Sequence, residues 1–558
     1  MRTRIFQVIL YVLLFSSNLG AFETYSTDSP FVDDLNRLYH RAGMVFPTAS
    51  YPVDKTELYR YASALRRSAE SREIRAEIDD YLDRLAYDPE KREVVSEETA
   101  AFEQYLRGDA VYVGDIDYYR SYIEAAPFLA WALSAGSDGG TGIHVSAELV
   151  SQNDPEAYPE NNLFQSAEGN PVSVENYFMT TGYFTHRTGD FLLQLGRTPV
   201  HFGSDDFSSI LPSDRLPYLD AMYYTWSFGP LKMSSFFSSF YNSAGGSEIE
   251  EMNAAGLPNI DTVKPEDGII TYSGPPYDTH TVAFNSTMIL AAMHRFEWAF
   301  DRLRIGMSAL HLSSRENNAF HIGDIFPVFS WHNGQVGPHN MSLILETSLV
   351  PCRGLVLFAQ AGYDDINSED LTGVGDTAIP TIPAYVLGIE YSYLPGGKQV
   401  DYLLEGGYTH YLWGNFHEFD PDRGNYLARA IYRYLRDEET MLLPFTSPYG
   451  PGTMWVRADA RVQFSGPWSI ALNTETIFKN TRADLVTTAY EASDEVENGA
   501  MSLWGGYALK IVYAKNYGQN CRFSLYMEPA LLVRDTDVWP EVSFGGRVDM
   551  IHRMVLEE

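Results

Sequence analysis

The stretch Met454–Phe464, MWVRADARVQF, decides the fold. Val456, Ala458, Ala460, Val462 and Phe464 occupy alternate positions, and Trp455, Arg457, Asp459, Arg461 and Gln463 fill the places between. Successive side chains of a strand point to opposite faces, whereas a helix would mix the two sets. The run predicts a strand with one apolar and one charged face. Cys521, Phe523, Leu525 and Met527 alternate in the same way with Arg522, Ser524, Tyr526 and Glu528. Near the end, Val542, Phe544, Val548 and Met550 oppose Ser543, Arg547 and Asp549, and this last strand is expected to stop near Met550. Earlier, Phe191, Leu193 and Leu195 alternate with Leu192 and Gln194 after a turn at Thr188–Asp190.

Two structures present such faces: a soluble antiparallel sheet with its polar side in water, and a membrane barrel with lipid outside and a wet lumen. Aromatic clusters at Tyr223, Tyr224 and Trp226, and at Tyr408, Tyr411 and Trp413, fit interfacial girdles. Short turns alternate with long polar connections at 151–170, 243–280, 365–380 and 415–451, as in a barrel with turns at one end and loops at the other. The expected fold is mainly β: a transmembrane antiparallel barrel over 109–558, of about 16–18 strands at roughly 24 residues per strand and its loops. No helical span is expected, because the longest apolar run beyond the N-terminus, Met288–Met293, is far short of the ~20 residues a helix needs.

The N-terminal residues read differently. Arg2 and Arg4, the apolar run Ile5–Phe15 and the small residues Ser16, Ser17, Gly20 and Ala21 predict a secretory signal over 1–21. Ser29-Pro30 is a helix start; Val32, Leu35, Leu38, Tyr39 and Ala42 then share one face before Gly43. Asp54 with Glu57 has capping-box spacing. Ile74, Ile78, Tyr81, Leu82 and Leu85 predict a further amphipathic helix ending near Pro89, and 96–106 another. Residues 22–108 are expected to form a small α-helical periplasmic domain.

Of 558 residues, 74 are acidic and 40 basic, a net charge of −34. That excess opposes binding to nucleic acid or to an anionic lipid surface. The hydrophobic content of 45% opposes disorder over the whole chain. Two cysteines, Cys352 and Cys521, cannot build a disulfide framework or a thiolate zinc site. One long-range disulfide and two unpaired thiols both remain open.

No constellation selects an enzyme. Asp205-Asp206 and Asp364-Asp365 are adjacent carboxylates, and neighbours on a strand diverge rather than face one bond. DPDRGN at 420–425 lacks the Gly and Glu positions of a calcium loop. His311, His321, His332 and His339 show no metal-pair spacing. No cofactor and no metal is expected.

Several blocks, in order, resemble the Wzi-like capsule-assembly outer-membrane protein family. FVDDLNRLYHRAGMVFPTASYPVDKTEL resembles the family's start, and LLQLGRTPVHFGSDDFSSILPSDRLPYLDAMYY its Gly-Arg signature strand. MHRFEWAFDRLRIGMSALHL, DIFPVFSWHNGQVGPHNMSLILETSL and GLVLFAQAGYDDI are similar to its central strands, and SPYGPGTMWVRADARV to its late Gly-Pro block. Together they span about 30–480. The resemblance implies a periplasmic helical segment fused to an outer-membrane barrel of about 18 strands. It also implies non-catalytic assembly or attachment of capsule or exopolysaccharide at the cell surface. The expected partners are a surface polysaccharide and outer-membrane lipid, with the protein a monomer. Trp331, His332, Tyr411 and Trp413 are the candidate glycan-facing residues, though a membrane-interface belt fits them equally. A porin-like solute channel is the alternative. A secreted polysaccharide-degrading sheet enzyme is a third reading; it would need two acids facing each other in one cleft.

Overall fold

In the computed structural model the described residues run from 24 to 555; the longer stretches outside the description are 108–128, 152–173, 242–268, 314–321, 326–338, 367–380, 415–429 and 484–498. The signal reading over 1–21 falls outside it. Eighteen antiparallel strands close into one barrel. In chain order they are β1 (Arg92–Arg107), β2 (Leu129–Ser137), β3 (Thr141–Ser151), β4 (Val174–Thr188), β5 (Phe191–Thr198) and β6 (Leu219–Phe228). There follow β7 (Leu231–Tyr241), β8 (Met288–Ala299), β9 (Leu303–Ser313), β10 (His339–Cys352), β11 (Leu355–Tyr363) and β12 (Pro383–Tyr393). The last six are β13 (Gln399–Thr409), β14 (Thr453–Gln463), β15 (Trp468–Asn480), β16 (Met501–Tyr517), β17 (Cys521–Arg534) and β18 (Asp537–Val555). Each pairs with its sequence neighbours, and β18 pairs with β1 to close the ring.

The alternation read from β14 is its structure. Met454 and Val456 are about half exposed outward, and Trp455 is buried inward. Exposed Leu343, Leu345, Leu387, Ile389, Leu404, Leu472, Leu509 and Leu525 continue the outer apolar band, with Trp226, Phe228, Trp468 and Tyr393 near strand ends. A band of this extent is an outer wall made for lipid, since water would not tolerate so large a contiguous apolar surface. Part of the expected girdle lies elsewhere. Tyr223 faces inward and is fully buried, and Trp413 is buried in the lumen. Inward-facing Trp455 needs Gly407 opposite it, where a Cβ would stand 2.1 Å from the indole ring.

Three helices precede the barrel: α1 (Pro30–Ala42), α2 (Lys55–Ser68) and α3 (Arg72–Leu85). Pro30 opens α1, and Gly43 ends it with a left-handed φ of 82°. Asp54 caps α2 by accepting the Glu57 N–H at 2.7 Å. Leu35, Leu38, Leu58, Ala62, Leu65, Ile78 and Tyr81 bury the mutual core. The helical reading of 96–106 is corrected: those residues lie in β1, so α3 ends at Leu85 and the first barrel strand begins at Arg92. Glu and Ala suit a helix locally, but pairing with β18 from Glu93↔Val555 to Arg107↔Glu541 closes the barrel and overrides that preference. The same pairing carries β18 past Met550 to Val555. Both cysteines are unpaired.

Candidate functional site

Among the described residues, many of the buried polar side chains face the barrel lumen. The helices sit against the short-turn end, where the Val45 N–H donates to Asp301 O and the Gly354 N–H to His40 O. A buried charge cluster joins α2 to the wall. The Glu57 carboxylate accepts from Lys232 Nζ at 2.5 Å and from the Tyr61 hydroxyl, with Arg187 at 3.7 Å. Asp54 pairs with Arg187 as well as capping α2. Burial alone would raise the Glu57 carboxyl, but Lys232 and Arg187 hold it below its ordinary range.

His40, on α1, is buried against the same end of the barrel. Burial, reinforced by the charges of Arg304 and Arg37, lowers its pKa to about 3, although Glu390 lies 3.9 Å away. The unfolded chain takes up this proton near pH 6.5 and the folded chain only near 3. Stability from this residue is therefore complete above about pH 6.5 and declines as pH falls toward 3, by up to about 1.4 kcal/mol per unit. Denaturation of the detergent-solubilised protein at pH 7 and 4.5 is expected to show this slope, reduced in His40→Leu. An equal slope in both proteins would refute the assignment.

From α1 the chain runs into the lumen. The Thr48 hydroxyl, the Ala49 N–H and the Ser50 hydroxyl donate to Glu297 at 3.0, 2.7 and 2.5 Å. Arg295 bonds Glu297 at 3.1 Å and Glu346 at 3.0 Å. Arg304 donates to the carbonyls of Phe46 and Thr48, both at 3.0 Å, and to Ser348. All four ionised side chains are at most 4% exposed. Two acids and two guanidiniums balance, and the remaining bonds satisfy the strap of backbone between them. Strand alternation explains the set: Met293, Arg295 and Glu297 share the inward face of β8.

A second segment descends from the long-loop end to meet the first. His201–Phe202 pairs with Ser50–Tyr51, and the Gly203 N–H donates to Ala49 O at 2.9 Å. The Ser209 hydroxyl donates to Phe202 O, the Ile210 N–H donates to Gln360, and Ser208 bonds Glu405. Phe202, Phe236, Phe240, Phe445 and Trp413 fill the space above. Gly203 is required here. Its φ is +121°, and a Cβ would stand 2.5 Å from Gln360 Nε2 and Ser209 Oγ. Gly203→Ala is expected to cost about 1–3 kcal/mol, through overpacking and strain, read as a lower denaturation midpoint. An unchanged midpoint would refute this packing.

The opposite wall differs. Inward residues of β14–β18 carry pairs of opposite charge that keep some exposure: Arg457–Asp459 at 2.6 Å, Lys510–Glu528 at 2.9 Å and Arg547–Asp549 at 2.6 Å. Thr99 of β1 donates to Asp549 at 2.9 Å. The expected row Arg457, Asp459, Arg461 is thus on the lumen side.

Of the glycan-facing candidates, Trp413 is 2% exposed and donates its indole N–H to Thr446 at 3.0 Å. Tyr411 lies two residues before it, partly buried, with its ring 4.1 Å from that of His410. The structure brings these two together on the loop after β13. Trp331 and His332 lie outside the described residues, as do Asp205, Asp206 and the 420–425 loop. Asp364 proves to be a loop anchor: it accepts from Ser342 at 2.6 Å and from the Gly414 N–H at 2.9 Å. The sequence reading named Glu57 only for its capping-box spacing with Asp54, carried Arg295 and Glu297 only inside a resemblance block, and did not single out Lys232. Arg295 and Glu297, two residues apart in an apolar strand, were the available signal; their partners at 48–50 left none.

No family model matches the chain, and no curated protein matches its sequence. Among solved structures it is similar to Wzi of Escherichia coli, an outer-membrane protein involved in group 1 capsule assembly and described as a carbohydrate-binding β-barrel. Identity is 11%, the TM-score 0.54, and the match covers 96% of this chain and 99% of that one. Matches to OpdK and OccK3 of Pseudomonas aeruginosa have identities of 9% and 8%, TM-scores of 0.38 and 0.40, and cover 83% and 86% of this chain and 99% of each of those. The chain has a Wzi-like outer-membrane barrel fold over nearly its whole length.

Proposed function

We propose that this protein resides in the outer membrane and holds or organises a capsular or exopolysaccharide at the cell surface, without catalysis. The supporting observation is that 45–54 from one end and the described residues around His201–Gly203 and Ser208–Ser213 from the other meet inside the lumen, in a chain whose length matches the Wzi fold throughout. Such a barrel offers its long-loop end as a surface rather than as a passage. Tyr411 would contact sugar there, with Trp413 fixing its loop from beneath, and Trp331 and His332 are further contact positions. Binding of purified protein to surface polysaccharide from the source cell tests the reading. Tyr411→Ala is expected to weaken binding about tenfold, the scale of one lost aromatic contact. No binding by the wild type would refute it.

The charge-paired, partly exposed wall of β14–β18 favours a second reading, a narrow porin-like path for small polar solutes. Planar-bilayer recording separates the two: steady currents support the path, and silence leaves the closed barrel.

A further inference from the structure

The outer wall is not apolar everywhere. Tyr224 on β6, Ser235 on β7 and His294 on β8 stand in one register row, and His311 on β9 lies opposite Ala292. Register places them on the lipid side. Tyr224 shares its face with exposed Trp226, and His311 shares its face with exposed Ile305. Yet all four are buried: Ser235 completely, His311 to 1%, His294 to 2% and Tyr224 to 7%. His294 lies midway along β8, at the level where hydrocarbon would surround a bare wall.

What covers them is the chain itself. A short helical turn, Ile322–Ile325, lies in the connection between β9 and β10. The Tyr224 hydroxyl donates to Ile325 O at 2.6 Å. His294 bonds the Gly323 backbone with Asp324 within electrostatic reach, and its Nδ1 is 2.5 Å from Ser235 Oγ. Asp324 is 2% exposed. Ala292 and Ala309, small residues on the same outward face, are buried as well.

We propose that Ile322–Ile325 is a strap that takes the place of lipid over this strip of outer wall, latched by Tyr224 and His294. The Tyr224 hydroxyl finds a strap carbonyl and the Ser235 hydroxyl meets the His294 imidazole, and a buried hydroxyl without the strap would face hydrocarbon unsatisfied. The latch therefore ties the β9–β10 connection to the barrel's outside. Lifting the strap would uncover a polar strip suited to polypeptide and not to lipid. This inference stands apart from the polysaccharide reading and uses none of its residues.

Two measurements on the full-length protein in proteoliposomes test it. With Cys352 and Cys521 replaced by serine, a Tyr224→Cys/Ile325→Cys pair should join under a short bifunctional thiol reagent. Absence of the cross-link in folded, heat-modifiable protein would overturn the placement. The variant Tyr224→Phe/Ser235→Ala/His294→Leu makes the strip apolar and removes the latch. Protease should then cut the 314–338 connection about tenfold faster, because cutting follows the population of the open form. An unchanged cutting rate would overturn the latch. If the triple variant does not fold, Tyr224→Phe alone carries the protease measurement.

Discussion

Replacing Glu297 with alanine is expected to cost about 3–5 kcal/mol, because it breaks a buried ion pair from one side. Arg295 would keep only Glu346 as its carboxylate partner. The Thr48 hydroxyl, the Ala49 N–H and the Ser50 hydroxyl would lose their shared acceptor inside the barrel. The loss should appear as a lower midpoint in chemical denaturation and as faster proteolysis between 44 and 54 than in the wild type. Glu297→Gln retains an acceptor and should lose less. A Glu297→Ala protein with wild-type midpoint and wild-type protease resistance would show that the lumen segment is held by its packing alone.

Glu57→Ala is expected to have an effect of similar size at the other attachment point, again about 3–5 kcal/mol. Its carboxylate stands between Lys232 and Arg187, both at most 5% exposed. Removing it leaves Lys232 without that carboxylate, while Arg187 still has Asp54. The helical domain should then detach more readily, seen as faster proteolysis of 55–85 with the heat-induced mobility shift of the barrel retained. Replacing Glu57 and Lys232 together by a Leu/Met pair of similar volume should recover much of the loss. If the double variant is as unstable as Glu57→Ala, the cluster acts through something other than its charge.

Both clusters show how far local pattern reaches. Alternation in 454–464, 521–528 and 542–550 correctly separated wall from lumen, because a strand's side-chain period depends only on the chain itself. The caps of α1 and α2 were legible for the same reason: Pro30, Gly43 and Asp54 act on backbone groups within four residues. The error at 96–106 marks the limit. Glu97, Glu98, Ala100 and Ala101 favour a helix by themselves, and pairing with β2 on one side and with β18, more than 430 residues away, on the other makes them β1.

The candidate site was read less well than the fold. Tyr411 and Trp413 were picked out as aromatics near a strand end, and burial then separated one from the other. Asp364 stood out only as one of two adjacent carboxylates, and became an anchor only once Gly414 was folded beside it. His294 and Ser235 sit in strands whose outward face should meet lipid, and nothing within those strands announces the segment that covers them.

By itself, then, the sequence determined which residues alternate, where helices begin and stop, and that the outer face of a large barrel is apolar. The tertiary structure alone decided that 45–54 and His201–Gly203 meet inside the lumen, that Glu297 and Glu57 are shared between distant segments, and that the ring closes between β18 and β1. The reason is physical. Side-chain direction and capping are set by bonds a few residues long, whereas ion-pair partners and strand closure are set by which surfaces exclude water or lipid together, and that depends on the whole chain.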